Sequence, residues 1–385
     1  MAEMKLLLVI TKSDIGGAQV FVINLARSLR DLGYDVEVAA GEGDYLFEEL
    51  KKYNVPYHFL RSLKRDFNVF NSFSFVCDLY RLIKAKKYQI LHFNSSNALI
   101  GALSTVFLKP RPKNVFTFHG LSFLDKNYEM NSFFRFLSKL YFKLFLFIVD
   151  KPVFVSNTNY KESIESSIVK SGHVIYYGLD ENKMEFINAK DARKFLSELC
   201  KTDLSDVFLI GSAGRLAYQK NYDFLIKNFK EIQKEIPTAK IIIIGDGPYY
   251  ERFMEEIKER GIQNDFFLVG AIKNTYRYMK AFDVFTLPSH YEGLPISLIE
   301  AVLAEIPILA SDVGGNKENV GNSSEQVFIL NDIDDYIQKL REIKKNSLNI
   351  VESNIKLKMQ FSLDNMVKNY KDIYESMLRE EQNNF

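Results

Sequence analysis

Short apolar runs bounded by glycine and polar turns recur along the chain, and between them apolar residues return every three or four positions. Lys5–Thr11 is a continuous apolar run, which predicts a strand buried on both faces. Ser13-Asp14-Ile15-Gly16-Gly17 follows as a turn, and Ala18–Leu32 has helical spacing that stops at Gly33. Asp35–Ala40 predicts a second strand, Phe47–Tyr53 a helix, and Tyr88–Phe93 and Asn114–Phe118 further short strands. The pattern restarts near residue 207, with strands over Val207–Ala213, Lys240–Gly245, Phe266–Val269, Val284–Leu287 and Pro307–Ala310. Helices over Asp223–Ile236 and Tyr249–Arg260 lie between them. Strands without alternation, separated by helices, predict two parallel-sheet α/β domains. Residues 178–206 are mixed and polar and read as the linker, and Ser362–Glu381 reads as a final helix capped by Ser362 or Asp364. Two such domains in tandem are expected to face a central cleft with the C-terminal ends of their strands, where ligands of such folds bind.

Length and charge narrow this picture. A chain of 385 residues has room for two domains with full cores. The net charge of +1 gives no bulk attraction to nucleic acid. It divides unevenly, +6 over residues 1–180 and −5 over the rest, so the first half suits an anionic surface or substrate, although scatter of surface charge explains it equally well. Cys77 and Cys200 form no disulfide framework, which fits a reducing compartment. The apolar run after Lys5 is too short for a secretory signal, and no uncharged apolar run reaches the ~18 residues of a spanning helix. A cytoplasmic location is expected.

The second half carries the sharper chemical signals. Gly214-Arg215-Leu216 directly follows a predicted strand, and Lys220 stands just before the next helix. Two cations at a strand end beside a helix N-terminus suit a diphosphate, whose departing charge they would stabilise. Two solvated surface cations are the simpler alternative. Gly245-Asp246-Gly247-Pro248 lets backbone approach a ligand closely, or is a plain strand-to-helix turn. Glu292-Gly293-Leu294-Pro295 precedes a helix, and Glu300 follows about two turns later. One carboxylate can accept hydrogen bonds from sugar hydroxyls and the other from ribose hydroxyls, while free N–H groups of the loop face a phosphate. Val313-Gly314-Gly315-Asn316 adds another glycine-rich turn. In the first half, Gly16-Gly17 opens a helix without a dinucleotide fingerprint, and His119-Gly120 follows a strand, where a lone His is more often structural. There is no HExxH, Cys/His cluster, acidic metal triad, GxSxG or Walker A string, so no metal and no cofactor is expected.

Taken together, these motifs resemble glycosyltransferase family 4, with the GT-B architecture of two Rossmann-like domains. The matches are Gly16-Gly17, Phe118-His119-Gly120, Gly214-Arg215-Leu216 with Lys220, Gly245-Asp246-Gly247-Pro248, Glu292-Gly293-Leu294-Pro295 with Glu300-Ala301, and Val313-Gly314-Gly315, in the family's order. The resemblance implies an acceptor-binding domain over 1–178, a nucleotide-sugar-binding domain over 179–361, and a segment 362–385 that crosses back to the first domain. It implies a retaining, metal-independent transferase, with a UDP-sugar as the expected donor and a glycan or lipid-linked acceptor of cell-surface polysaccharide or glycolipid synthesis. On that analogy Arg215 and Lys220 bind the diphosphate, Glu300 holds the ribose, and Glu292 orients the donor sugar with backbone help from Gly293, Leu294 and Pro295. Gly214 and Gly247 belong to the donor side, Gly16 and Gly17 lie near phosphate and acceptor, and Asn94 and His119 face the acceptor, with His119 also touching the sugar. Two departures stand out: His92-Phe93-Asn94 replaces a frequent His-x-His pair, and Tyr177 precedes Gly178 where Asn is often found. A sugar-nucleotide epimerase or a phosphorylase could use the same architecture, although no pyridoxal-phosphate lysine is evident. A non-catalytic sugar-binding partner would not need diphosphate stabilisation.

Residues 133–149 hold Arg135, Lys139 and Lys143 at four-residue spacing in an otherwise apolar, aromatic run. A core helix with one wet stripe is the simpler reading. A basic amphipathic helix in peripheral contact with an anionic membrane, at the inner face of the cell membrane, is the other.

Overall fold

The computed structural model describes residues 4–66 and 68–382, so residues 1–3 of the first expected domain and 383–385 of the last segment lie outside the described residues. The chain forms two compact units. One holds the chain to Leu124, Met130–Gly178 and the chain from Leu363; the other holds Asp125–Glu129 and Leu179–Ser362.

The first unit is built on seven parallel strands: β1 (Lys5–Ile10), β2 (Asp35–Ala40), β3 (Tyr57–Phe59), β4 (Ile90–Phe93), β5 (Lys113–Phe118), β6 (Lys151–Phe154) and β7 (His173–Val174). Their order is β3-β2-β1-β4-β5-β6-β7, so the winding reverses between β1 and β4. Helices α1 (Gly17–Asp31), α2 (Tyr45–Lys52), α3 (Val69–Lys86), α4 (Ser96–Leu99), α5 (Ser132–Leu146) and α6 (Asn157–Glu165) connect them. Leu6, Leu7, Leu8 and Val9 are fully enclosed, which is why β1 reads as unbroken apolar sequence.

The second unit begins with α7 (Ala189–Cys200), inside the segment expected to be linker. The periodicity was there to read, since Ala192 and Leu196 turn inward four residues apart, but the surrounding charges masked it. Six parallel strands follow: β8 (Phe208–Ala213), β9 (Ala239–Ile244), β10 (Phe266–Leu268), β11 (Val284–Leu287), β12 (Ile308–Ser311) and β13 (Val327–Phe328), in the order β10-β9-β8-β11-β12-β13. Helices α8 (Tyr222–Glu235), α9 (Tyr250–Glu259), α10 (Ile296–Leu303), α11 (Asn316–Asn319) and α12 (Ile333–Ile355) cover it. The four isoleucines of β9 are all buried, as a strand covered on both faces requires. The last helix, α13 (Leu363–Gln382), belongs to the first unit and buries Tyr370, Tyr374 and Met377 there.

Candidate functional site

Each sheet has one switch point where neighbouring strands send their connections to opposite faces, and such a point leaves a crevice at the C-terminal strand ends. In the second unit it lies between β8 and β11. Those two strands deliver the GRL and EGLP loops.

Glu292 is the hub of this crevice. Its Oε1 lies 2.6 Å from Lys220 Nζ and accepts from Ser289 Oγ at 2.7 Å, while Oε2 accepts from Gln219 Nε2 at 3.2 Å. The loops are tied again by the His290 N–H donating to Gln219 O at 2.8 Å, and by the His290 ring stacked on Tyr218 at 4.4 Å. Burial lowers the His290 pKa. Lys220 and Glu292 are both largely buried, so their charges are compensated by each other. Sequence reading placed both at the site but gave them separate ligands, and it overlooked Gln219 and Ser289, which flank the motif residues and fix Glu292. Arg215 is exposed, and among the described residues it forms no ion pair.

The glycines bring these loops together. A Cβ on Gly245 would lie 1.9 Å from Gly214 O, and one on Gly247 would lie 2.4 Å from Leu216 O. The GDGP turn is therefore packed backbone to backbone on the GRL turn. Gly314 takes a left-handed φ of +49°, and a Cβ there would sit 2.0 Å from Glu292 O. The VGG turn braces the EGLP loop from below, helped by the Gly315 N–H donating to Gly293 O at 3.0 Å. Gly293, Leu294 and Pro295 are buried, and Asn319 Nδ2 donates to Pro295 O at 3.1 Å.

Glu300 sits on α10, an otherwise strongly apolar helix, in a position crowded by protein yet partly open to solvent. Desolvation raises its pKa from 4.5 to about 7. A carboxylate that gives up water without gaining a protein partner is suited to accept hydrogen bonds from a ligand's hydroxyls.

Residues 125–129 group with this unit. Asn127 Nδ2 donates to His290 O at 3.2 Å, Tyr218 Oη donates to Asn127 O at 3.0 Å, and Tyr128 meets Tyr291 edge-on.

At the switch point of the first unit, Gly16 has extended backbone and Gly17 starts α1 with no side-chain cap hydrogen bond, the Gln19 side chain lying against Gly16 and donating to Lys12 O at 2.9 Å. Next to it, Asn94 is buried: its Nδ2 donates to His92 O at 2.9 Å, which aims Oδ1 at His119 Nε2, 3.3 Å away. His119 Nδ1 is 2.5 Å from Tyr177 Oη, and the two rings stack. Burial pushes the His119 pKa down to about 3, so the ring is neutral. Because Asn94 Oδ1 can only accept, Nε2 carries the proton and Nδ1 accepts from the tyrosine. His92 is wholly buried and also held neutral by burial, with Nδ1 2.7 Å from Tyr374 Oη and Nε2 2.7 Å from Thr117 Oγ1. Thr117 Oγ1 in turn lies 3.0 Å from Tyr370 Oη. Tyr370 and Tyr374, four residues apart on one face of α13, thus plug the back of the site. Their spacing was visible in the sequence; their partners were not.

Among the described residues, no group of three or more His, Cys, Asp or Glu side chains is placed to hold a metal ion. Among the described residues, no helix is long and apolar enough to cross a membrane.

Residues 15–183 match the family model Glycosyltransferase Family 4, and residues 201–360 match Glycosyl transferases group 1. The chain belongs to these glycosyltransferases. It is 29% identical over 355 residues to the UDP-Gal:alpha-D-GlcNAc-diphosphoundecaprenol alpha-1,3-galactosyltransferase of Escherichia coli, covering 87% of this chain and 86% of that protein. It is 26% identical to the capsular polysaccharide biosynthesis glycosyltransferase CapM of Staphylococcus aureus, covering 78% of each. In fold it is similar to Anabaena HepE, solved in complex with UDP and glucose, with a TM-score of 0.80, 18% identity, and coverage of 97% of this chain and 100% of that one. The sucrose-phosphate synthase of Thermosynechococcus elongatus is similar at a TM-score of 0.79 and 16% identity, covering 98% of this chain and 100% of that one. Both units are thus Rossmann-like, and the fold is GT-B.

Proposed function

We propose that this glycosyltransferase moves a hexose from a UDP-sugar to a lipid-linked glycan acceptor, with retention at the anomeric carbon and without a metal. The observation that carries the reading is the set of charged groups after β8 and β11: Lys220 locked to Glu292, Arg215 open to solvent, and Glu300 desolvated on α10, the helix that follows the EGLP loop. Arg215 and Lys220 take the diphosphate, Glu300 the ribose, and Glu292 the hydroxyls of the donor sugar. Gly214 and Gly247 shape the loops around the donor, and Gly293 and Leu294 offer backbone N–H groups, while Pro295, which has none, fixes the turn into α10. The Escherichia coli relative, named for a UDP-Gal donor and a diphosphoundecaprenol acceptor, supports both ends of the assignment. HepE, solved with UDP, supports the nucleotide.

Glu292 is held by three side chains and is therefore an orienting group rather than a nucleophile. The step that fits is a front-face displacement. The bond from the anomeric carbon to the diphosphate oxygen breaks, the acceptor oxygen bonds on the same face, and the acceptor's proton passes to the departing diphosphate. Cations placed at that diphosphate stabilise the charge as it develops. The first unit offers Gly16, Gly17, Asn94 and His119 to the acceptor, and contact with the inner face of the cell membrane through 133–149 would bring a lipid-linked one within reach.

A thermal-shift screen of UDP-, GDP- and ADP-sugars, followed by nucleotide release with a diphosphoundecaprenol-linked sugar, tests this reading. Stabilisation by UDP-sugars and acceptor-dependent release are expected, with the product's anomeric configuration matching the donor's by NMR. Absence of stabilisation by every nucleotide sugar would overturn it.

A further inference from the structure

In a soluble domain an amphipathic helix turns its apolar stripe to the core. Helix α5 does the reverse. Phe142 is its one buried residue. Phe133, Phe136, Leu140 and Leu144 are each more than half exposed, and Phe147, just past its end, is 92% exposed. Spaced by three or four residues, these side chains lie along a single outward stripe. The preference for a core helix is thus overturned, and the outward face is mainly apolar rather than basic, with Lys143 exposed and Lys139 half-buried beside it. Arg135 is drawn back onto the protein, its Nη1 donating to Phe123 O at 2.8 Å.

The stripe continues past the helix. Asn114 Nδ2 bridges Thr105 Oγ1 at 2.8 Å and Ile148 O at 3.2 Å, which sets the segment after Thr105 beside the end of α5. Val106 and Phe107 there are exposed, Phe107 by 87%. Within the helix, Tyr141 Oη donates to Ser96 O at 2.7 Å, next to the loop after β4 that carries Asn94. A continuous apolar patch of this kind marks an interaction surface.

We propose that this stripe inserts into an anionic lipid bilayer as a monotopic anchor, with Phe133, Phe136, Leu140, Leu144, Phe147 and Phe107 entering the acyl boundary and Lys139 and Lys143 reaching the headgroups. Charge selects the occupant. From Asn131 to Val149 there is no Asp or Glu, so a second copy docked on this stripe would set Lys139 and Lys143 against their own counterparts, whereas an anionic leaflet neutralises them. Apolar insertion supplies most of the binding and charge selects the lipid. The functional sense of the anchor rests on the lipid-linked acceptor proposed above, because α5 adjoins the strand ends where Asn94 and His119 lie.

The test is co-sedimentation of the full chain with vesicles of equal parts phosphatidylglycerol and phosphatidylcholine, and with phosphatidylcholine alone. Wild type is expected to partition onto the mixed vesicles. The combined variant Phe136→Ser, Leu140→Ser, Leu144→Ser and Phe147→Ser should fall by at least about tenfold, and Lys139→Gln with Lys143→Gln should lose most of the preference for the anionic lipid. Since the four apolar positions are exposed, that variant should keep the wild-type Tm. Wild type remaining in the supernatant, or the serine variant binding as well as wild type, would overturn the proposal. So would a wild-type dimer in sedimentation equilibrium that the serine variant converts to monomer. Stabilisation by UDP-sugars is read on the same samples. Vesicle binding with no nucleotide effect would retire the proposed donor and leave the anchor standing; the opposite pattern would do the reverse.

Discussion

At the switch point of the second unit the polar groups are ionic and partly wet: Lys220 against Glu292, Arg215 in solvent, Glu300 with a carboxyl that titrates near neutrality. At the same place in the first unit they are neutral and mostly buried, two histidines wired to Asn94, Thr117 and three tyrosines, with both imidazoles held unprotonated by burial and only His119 partly open. The contrast matches the ligands that the proposed function gives to each crevice. A diphosphate needs fixed positive charge. A hydroxyl acceptor needs a shaped, uncharged surface, and a buried neutral network holds shape without the desolvation cost of ions.

The largest effect should come from breaking the ionic side. Lys220→Ala or Glu292→Gln should each lower turnover at least about tenfold, read by nucleotide release, because on the proposed function each removes a group that acts in the transition state. Each single change also strands a largely buried partner and should cost about 1–3 kcal/mol in denaturant unfolding. The double variant should regain stability without regaining turnover. If turnover returned with stability, the pair would be purely structural.

Glu300 sharpens the contrast through pH. Its carboxyl keeps a proton to about pH 7 in the fold but releases it near 4.5 when unfolded. The unfolded state sheds that proton first, so stability declines as pH rises from 4.5 to 7 and is level beyond. Glu300→Gln should remove this slope and stabilise the ligand-free protein by about 2 kcal/mol above neutral pH, discounted for partial solvent contact. In wild type, UDP-sugar affinity should strengthen as pH passes about 7, since the ionised carboxylate accepts ribose hydroxyls better; in Glu300→Gln it should be flat and weaker.

The neutral side predicts the reverse. His119, with its pKa near 3, should show an Nε2–H tautomer in 15N NMR at neutral pH and stay uncharged well into the acid range. Titration near 6.5 would break the comparison. Tyr177→Phe removes the donor to His119 Nδ1 and should raise the acceptor KM by about threefold with little change in donor affinity. The smallest effect is expected from Tyr370→Phe, which removes one neutral hydrogen bond to Thr117 and should cost about 1 kcal/mol by thermal unfolding with turnover preserved.

Much of the fold was legible in the sequence because strands covered on both faces read as unbroken apolar runs. Lys5–Ile10 and Ala239–Ile244 announce themselves in that way. Short edge strands such as Tyr57–Phe59 and His173–Val174 gave no such signal, being only partly buried. The GRL, GDGP, EGLP and VGG turns could be placed after strands, and thus at strand C-termini, from local pattern alone.

What the sequence determined by itself is therefore local: which segments form strands and helices, where the turns fall, and which residue types stand at the strand ends. The tertiary structure alone decided which of these meet. Lys220 and Glu292 lie 72 residues apart, and His119 and Tyr177 58 apart; strand order and register, not periodicity, bring them within hydrogen-bond distance. The same holds for α5. A repeat of three and four residues fixes that Phe133, Leu140 and Phe147 share a face, but only packing around Phe142 fixes that the face points outward.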